Sequence, residues 1–288
     1  MKRFLFLIFL QFSVAVYAQD VAFVVYYAKG MILKKTNLKT ALQKGDKIFA
    51  SDIILMPAKG RLVLICNNYK GIQLAKKGNI NVTYLLEQCR NNEGNFTSTY
   101  FKYIWDELTH LHGKPEKDPY KYMGNKGAAS RGCSNSFLRL DLDTINYSKG
   151  KLPVAVKAVN SDMYWSLFDD PIQGVEIIKE KLSNNIIHFD ALVGKLPPAT
   201  YYWEIKTENE KTCERKVIKV WEVNEYKNAI ASIVKSVLPS IPAETAYHTG
   251  YLLEENHFLA DALSYYQLAA KLNKKNLRYK KTLLRFYE

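Results

Sequence analysis

Four cysteines, five histidines and a few paired aspartates are the residues whose types could do chemistry here, and their spacing argues against most of it. No two of Cys66, Cys89, Cys133 and Cys213 stand at C-x-x-C spacing, which speaks against a zinc site and a redox dithiol. His110 and His112 are two residues apart, so on a helix they point to different sides; the useful i, i+4 spacing is absent. His188, His248 and His257 read as packing or surface histidines. There is no G-x-S-x-G elbow, and the basic run Gly124 to Gly132 lacks the order of a phosphate-binding loop. It reads as linker. Asp141 and Asp143, like Asp169 and Asp170, lack the glycine and terminal glutamate of a calcium loop and are expected to make turns. No catalytic, cofactor-binding or metal-ligating residue is assigned, and no enzymatic activity is expected.

Two other residue sets carry expectations. In an oxidising compartment four cysteines pair in three ways. Cys66 and Cys89 are the candidate bridge if their strands are neighbours, closing a loop worth roughly 3 kcal/mol; the alternative is a buried thiol on each strand. Twenty tyrosines and four tryptophans exceed the obvious needs of small cores. Trp165, Tyr202 and Trp203 are candidate ligand-platform residues, because exposed rings stack on sugars; the alternative places them in the core or at ordinary interfaces.

The amino terminus speaks to compartment. Lys2 and Arg3, the apolar run Phe4 to Leu10 and the small-residue site before Gln19 form the pattern of a cleaved signal peptide over residues 1–18. The run is too short to cross a bilayer comfortably, so no transmembrane segment is expected after cleavage. A periplasmic or secreted location follows. The formal charge of +13 loses two units with that segment and can attract anionic surfaces or polymers, nucleic acid being a poor partner for an exported protein. It is scattered in pairs such as Lys34-Lys35, Lys76-Lys77, Lys274-Lys275 and Lys280-Lys281, so the lysines are expected mainly to keep the protein soluble.

The elements that must position these residues are mainly β and multidomain. From Val21 to Leu86 short apolar runs recur about every ten residues with glycine at the breaks, the pattern of a small sandwich or barrel. Lys29-Gly30, Gly45-Asp46, Asp52-Ile53, Gly60 to Leu64 and Gly71-Ile72, in that order, resemble a FecR-like extracytoplasmic domain over residues 19–86. Full-length members of that family add an anti-sigma segment and a membrane helix. Neither is found here, so sigma-factor regulation is not carried over. Residues 87–150 read as a linker with one amphipathic helix from Thr97 to Leu111.

Strands such as Met163 to Phe168 and Tyr201 to Lys206 fill residues 151–222. Leu196 to Trp203 is similar to the L-x-P-G-x-Y-x-W run of immunoglobulin-like and fibronectin-like domains, with Ala199 where glycine is usual. Alternation there predicts a wet face of Tyr202, Glu204 and Lys206. Residues 223–288 are helical. Gly250, Ala262, Tyr266 and Ala269 stand at the spacing of one tetratricopeptide repeat, which Glu244 to Leu272 resembles; Ala246 replaces the usual tryptophan and Lys274 the usual proline. One repeat cannot bury its own faces, so flanking helices must supply neighbours.

These resemblances, with no catalytic set, imply a non-enzymatic exported envelope protein that binds or scaffolds an envelope protein partner. The alternative is a carbohydrate- or peptidoglycan-binding protein using exposed aromatics of the second β domain.

Overall fold

A computed structural model of the chain describes residues 20–35, 39–90, 98–109, 138, 140, 142–157, 161–182, 184–193, 195–207 and 215–287. The expected signal segment, His110, His112, the Gly124 to Gly132 run, Asp141, Cys133 and Cys213 lie outside the described residues. The chain forms two compact units, residues 1–93 and 94–288.

Eight strands build the first unit: β1 (Val21–Lys29), β2 (Leu33–Lys35), β3 (Lys39–Ala41), β4 (Lys47–Phe49), β5 (Ile53–Met56), β6 (Arg61–Cys66), β7 (Gly71–Leu74) and β8 (Gly78–Asn81). They form two antiparallel sheets, ordered β4-β1-β6-β7 and β3-β2-β5-β8. Phe23, Val25, Ile48, Ile54, Leu62, Leu64 and Val82 share one core. Aspartates pin the turns by accepting backbone N–H groups: Asp46 from Gln43 at 2.8 Å, and the buried Asp52 from Phe49 at 2.9 Å. At the β1 end Gly30 has φ +94°, and a Cβ there would meet Gly60 Cα at 3.4 Å.

Helix α1 (Val82–Arg90) closes this unit. A disulfide joins Cys89 on α1 to Cys66 at the end of β6, with Cα atoms 6.4 Å apart. Asn68 Nδ2 donates to Cys89 O at 2.8 Å and Lys70 Nζ to Gln88 O at 2.9 Å, so the helix is tied to the sheet three times. Replacing both cysteines by alanine is expected to cost about 3 kcal/mol by freeing the loop in the unfolded chain. The urea midpoint of the variant measures this; an unchanged midpoint, or two cysteines that alkylate freely without reductant, would rule the bridge out as a stabiliser.

The second unit contains α2 (Ser98–Thr109), β9 (Thr144–Tyr147), β10 (Pro153–Ala155), β11 (Met163–Phe168), β12 (Glu176–Lys181), β13 (Ile186–His188), α3 (Phe189–Leu192), β14 (Ala199–Thr207), β15 (Lys216–Val220), α4 (Val223–Lys235), α5 (Pro242–Glu255), α6 (Leu259–Leu272) and α7 (Leu277–Tyr287). A five-stranded sheet runs β12-β11-β14-β15-β9, antiparallel except for the β15–β9 edge, and β10 pairs with β13 separately. Phe189 meets Trp165 and Trp203 edge-on, with ring centroids 5.6 and 5.2 Å away.

This arrangement corrects three expectations. Residues 87–150 are more than a linker with one helix: α2 is the helix expected over Thr97 to Leu111 and buries Tyr100, Phe101, Tyr103, Ile104 and Trp105, but the end of α1 and strand β9 lie there as well. The sheet and the C-terminal helices are one unit rather than two in series. Asn146 of β9 donates its N–H to His257 O at 2.8 Å and its Nδ2 to Asn256 O at 2.9 Å, while Tyr226 OH donates to Asp261 at 2.7 Å. The fold is mixed α and β rather than mainly β, with several antiparallel sheets and seven helices among the described residues. Among those residues no helix is long and apolar enough to cross a membrane.

Candidate functional site

Helices α5, α6 and α7 owe their arrangement to charged and phenolic groups inside them. Glu244, in the first turn of α5, is buried, where a carboxylate must be paired. It accepts Tyr100 OH from α2 at 2.6 Å, and Tyr279 OH and Arg278 Nη2 from α7 at 2.7 Å each. The Arg278 guanidinium lies 4.7 Å from the Tyr247 ring centroid and 5.1 Å from that of Tyr279. Burial, and then the charge of Glu244, push the Tyr279 hydroxyl above its ordinary value, so it stays a donor. His248 is fully buried, stacked on Tyr100 at 3.8 Å and edge-on to Phe101. Burial pushes its pKa down to about 3 against an upward pull from Glu244, and neither ring nitrogen has a hydrogen-bond partner among the described residues.

A second ion pair locks the other end of the same helices. Arg285 of α7 donates to Glu254 of α5 through both terminal nitrogens, at 2.9 and 2.8 Å, and Tyr266 OH of α6 donates to the same carboxylate at 2.6 Å. Gly250 lets α5 and α6 close up: a Cβ there would stand 2.8 Å from the Tyr266 ring and 3.1 Å from Ala262 O. Ala262, Tyr266 and Ala269 are buried along α6 beside it.

With the inner faces so occupied, the outer faces of α6 and α7 carry large apolar groups. Leu268 and Leu272, one turn apart on α6, are 43% and 50% exposed; Leu277, Leu284 and Tyr287 on α7 are 51%, 41% and 42% exposed. Gln267 Nε2, beside Leu268, donates to Tyr287 OH at 3.0 Å, and the four residues from Asn273 to Asn276 join Leu272 to Leu277, so α6 and α7 meet alongside these groups. Apolar patches rimmed by polar residues mark interaction surfaces. Sequence reasoning missed these leucines, although Leu268, Leu272, Leu277 and Leu284 lie off the positions that the repeat spacing buries.

The expected aromatic platform is corrected. Trp165 and Trp203 are wholly buried around Phe189, because both lie on the sheet face turned to the core; neither ring is open to a sugar. Tyr202, on the opposite face, is half-buried. That opposite face is not uniformly wet either. Glu204 is fully buried and pairs with Lys206 at 3.0 Å, and its cross-strand neighbour Ser166 donates to Glu176 at 2.6 Å.

The aspartates go to turns and ion pairs. Asp170 Oδ1 accepts Ile172 N and Gln173 N at 2.8 and 2.9 Å, and these two bonds hold its carboxyl below the usual range. Asp169 accepts Val175 N at 2.7 Å, while Asp143 pairs with Lys216. Asp169 and Asp170 line an open groove at the β11–β12 turn with Ile172 and Val175, and their carboxylates are spent on backbone. Among the described residues no three His, Cys, Asp or Glu side chains gather as a metal site. The chain matches no protein-family model, and no curated protein matches it.

Proposed function

We propose that this is an exported, non-enzymatic envelope protein that works by binding another protein, with α6 and α7 as its docking face. The observation carrying the reading is the exposed set Leu268, Leu272, Leu277, Leu284 and Tyr287 on helices whose inner faces are already filled. Export is supported by the Cys66–Cys89 bridge, since disulfides persist in oxidising compartments.

The proposed modules have structural support of different kinds. For an immunoglobulin-like sandwich there are seven strands, β9 to β15, a buried Trp165 on the third, and Tyr201 OH donating back to Pro197 O at 3.0 Å at the start of β14. For a tetratricopeptide-like unit there is the Gly250–Tyr266 approach, with α4 and α7 as flanking helices. For a FecR-like first unit there are the turns at Gly30, Gly45-Asp46 and Gly60. The glycan reading keeps only Tyr202 of its three rings.

Cross-linked co-purification from envelope extract tests the docking face. The intact protein is expected to retain one specific partner that the Leu268→Ser, Leu272→Ser, Leu284→Ser variant loses. Both proteins should melt at the same temperature, because exposed leucines contribute little to the fold. The same partner on both would end the assignment of this face.

A further inference from the structure

The charge around this docking face identifies what fits it. Residues 262–287 contain seven cations, Lys271, Lys274, Lys275, Arg278, Lys280, Lys281 and Arg285, and no aspartate or glutamate. Arg278 and Arg285 are consumed inside by Glu244 and Glu254. Lys271, Lys274, Lys275 and Lys280 are exposed and interleave with the exposed leucines. On α6, Leu268 and Leu272 flank Lys271; on α7, Leu277 and Leu284 flank Lys280.

We infer that the partner docks through an acidic amphipathic helix, its apolar stripe against Leu268, Leu272, Leu277 and Leu284 and its carboxylates against the four lysines. This rests on the docking reading above and names the chemistry of its partner. Two adjoining helices with leucines one and two turns apart leave the ridge-and-groove surface that receives a third helix. A second copy of this chain is disfavoured because it would bring like charges together. An anionic bilayer is disfavoured because interfacial insertion immerses one continuous apolar helix face, whereas these leucines are spread over two packed helices and each is only 41–51% exposed. Bare polyanions would meet the lysines and leave the leucines wet.

The experiment uses the full mature chain, phosphatidylglycerol vesicles, and two synthetic helical peptides sharing one leucine stripe, one flanked by glutamates and one by lysines. Anisotropy is expected to show saturable binding of the acidic peptide, at least about tenfold tighter than the basic one and weakening with salt. Leu268→Ser with Leu284→Ser, and separately Lys271→Glu with Lys280→Glu, should each weaken it by about tenfold or more at unchanged melting temperature. No binding of the acidic peptide up to about 1 mM, equal binding of both peptides, or binding only to phosphatidylglycerol vesicles overturns the inference. Equal binding that still needs Leu268 and Leu284 sinks the charge argument alone. Binding indifferent to the leucines sinks the docking face as well.

Discussion

Glu244→Ala is expected to be the most damaging single substitution in the second unit, costing about 3–5 kcal/mol because it removes the carboxylate that a buried guanidinium is paired with. The carboxylate gathers Tyr100, Arg278 and Tyr279 from two other helices, so its loss also removes an acceptor from two phenols. Glu244→Gln keeps the shape but loses the charge-assisted bonds and should fall between the two. The informative control is Glu244→Ala with Arg278→Met, which removes both charges and is expected to recover much of the lost stability. Urea unfolding followed by far-ultraviolet circular dichroism reads all three. A single variant as stable as the parent, or a double variant no better than the single, would remove Glu244 as the organiser of α2, α5 and α7.

Acid should destabilise the same unit through His248. Its pKa is about 3 in the folded chain against an ordinary 6.5. Above pH 6.5 both folded and unfolded imidazoles are neutral, and the group contributes its full stability there. Between pH 6.5 and 3 the unfolded state binds a proton that the folded state refuses, so stability falls by about 1.4 kcal/mol per pH unit. By pH 3 the loss is on the order of 5 kcal/mol. Tyr100 and Phe101 of α2 face the ring, and Glu244 one turn earlier on α5 pulls upward without overcoming burial. His248→Phe preserves stacking without a titrating group. Its stability between pH 4 and 6.5 is expected to be flatter than the parent's by nearly that slope; parallel curves would show that His248 does not carry the acid response.

Local pattern made several elements legible. Met163 to Phe168 was expected as a strand and is β11; the repeat-like segment Glu244 to Leu272 is α5 and α6. Helix α5 begins two residues before the expected Glu244, because Pro242 suits the first turn, where its missing N–H has no intrahelical partner to lose. Helix α1 was missed: nine residues starting Val82-Thr83 are short and β-branched, and they hold as a helix through the Cys66–Cys89 bridge and the bonds from Asn68 and Lys70. The candidate site was less legible than the fold. Gly250 and Tyr266 could be paired by spacing, but Glu244 and Arg278 stand 34 residues apart and meet only when α7 folds back over α5.

What the sequence determined by itself was periodic: which residues share a strand face or a helix stripe, and where glycine and proline break the chain. Which of those faces is covered was decided by tertiary structure alone. Period two placed Trp203 opposite Tyr202 and Glu204 on β14, yet it could not say that Glu204 would be buried too. The same held for the outer leucines of α6 and α7. Alternation is a property of the backbone between near neighbours, whereas burial depends on what a distant segment brings to the surface, and that contact exists only in the folded chain.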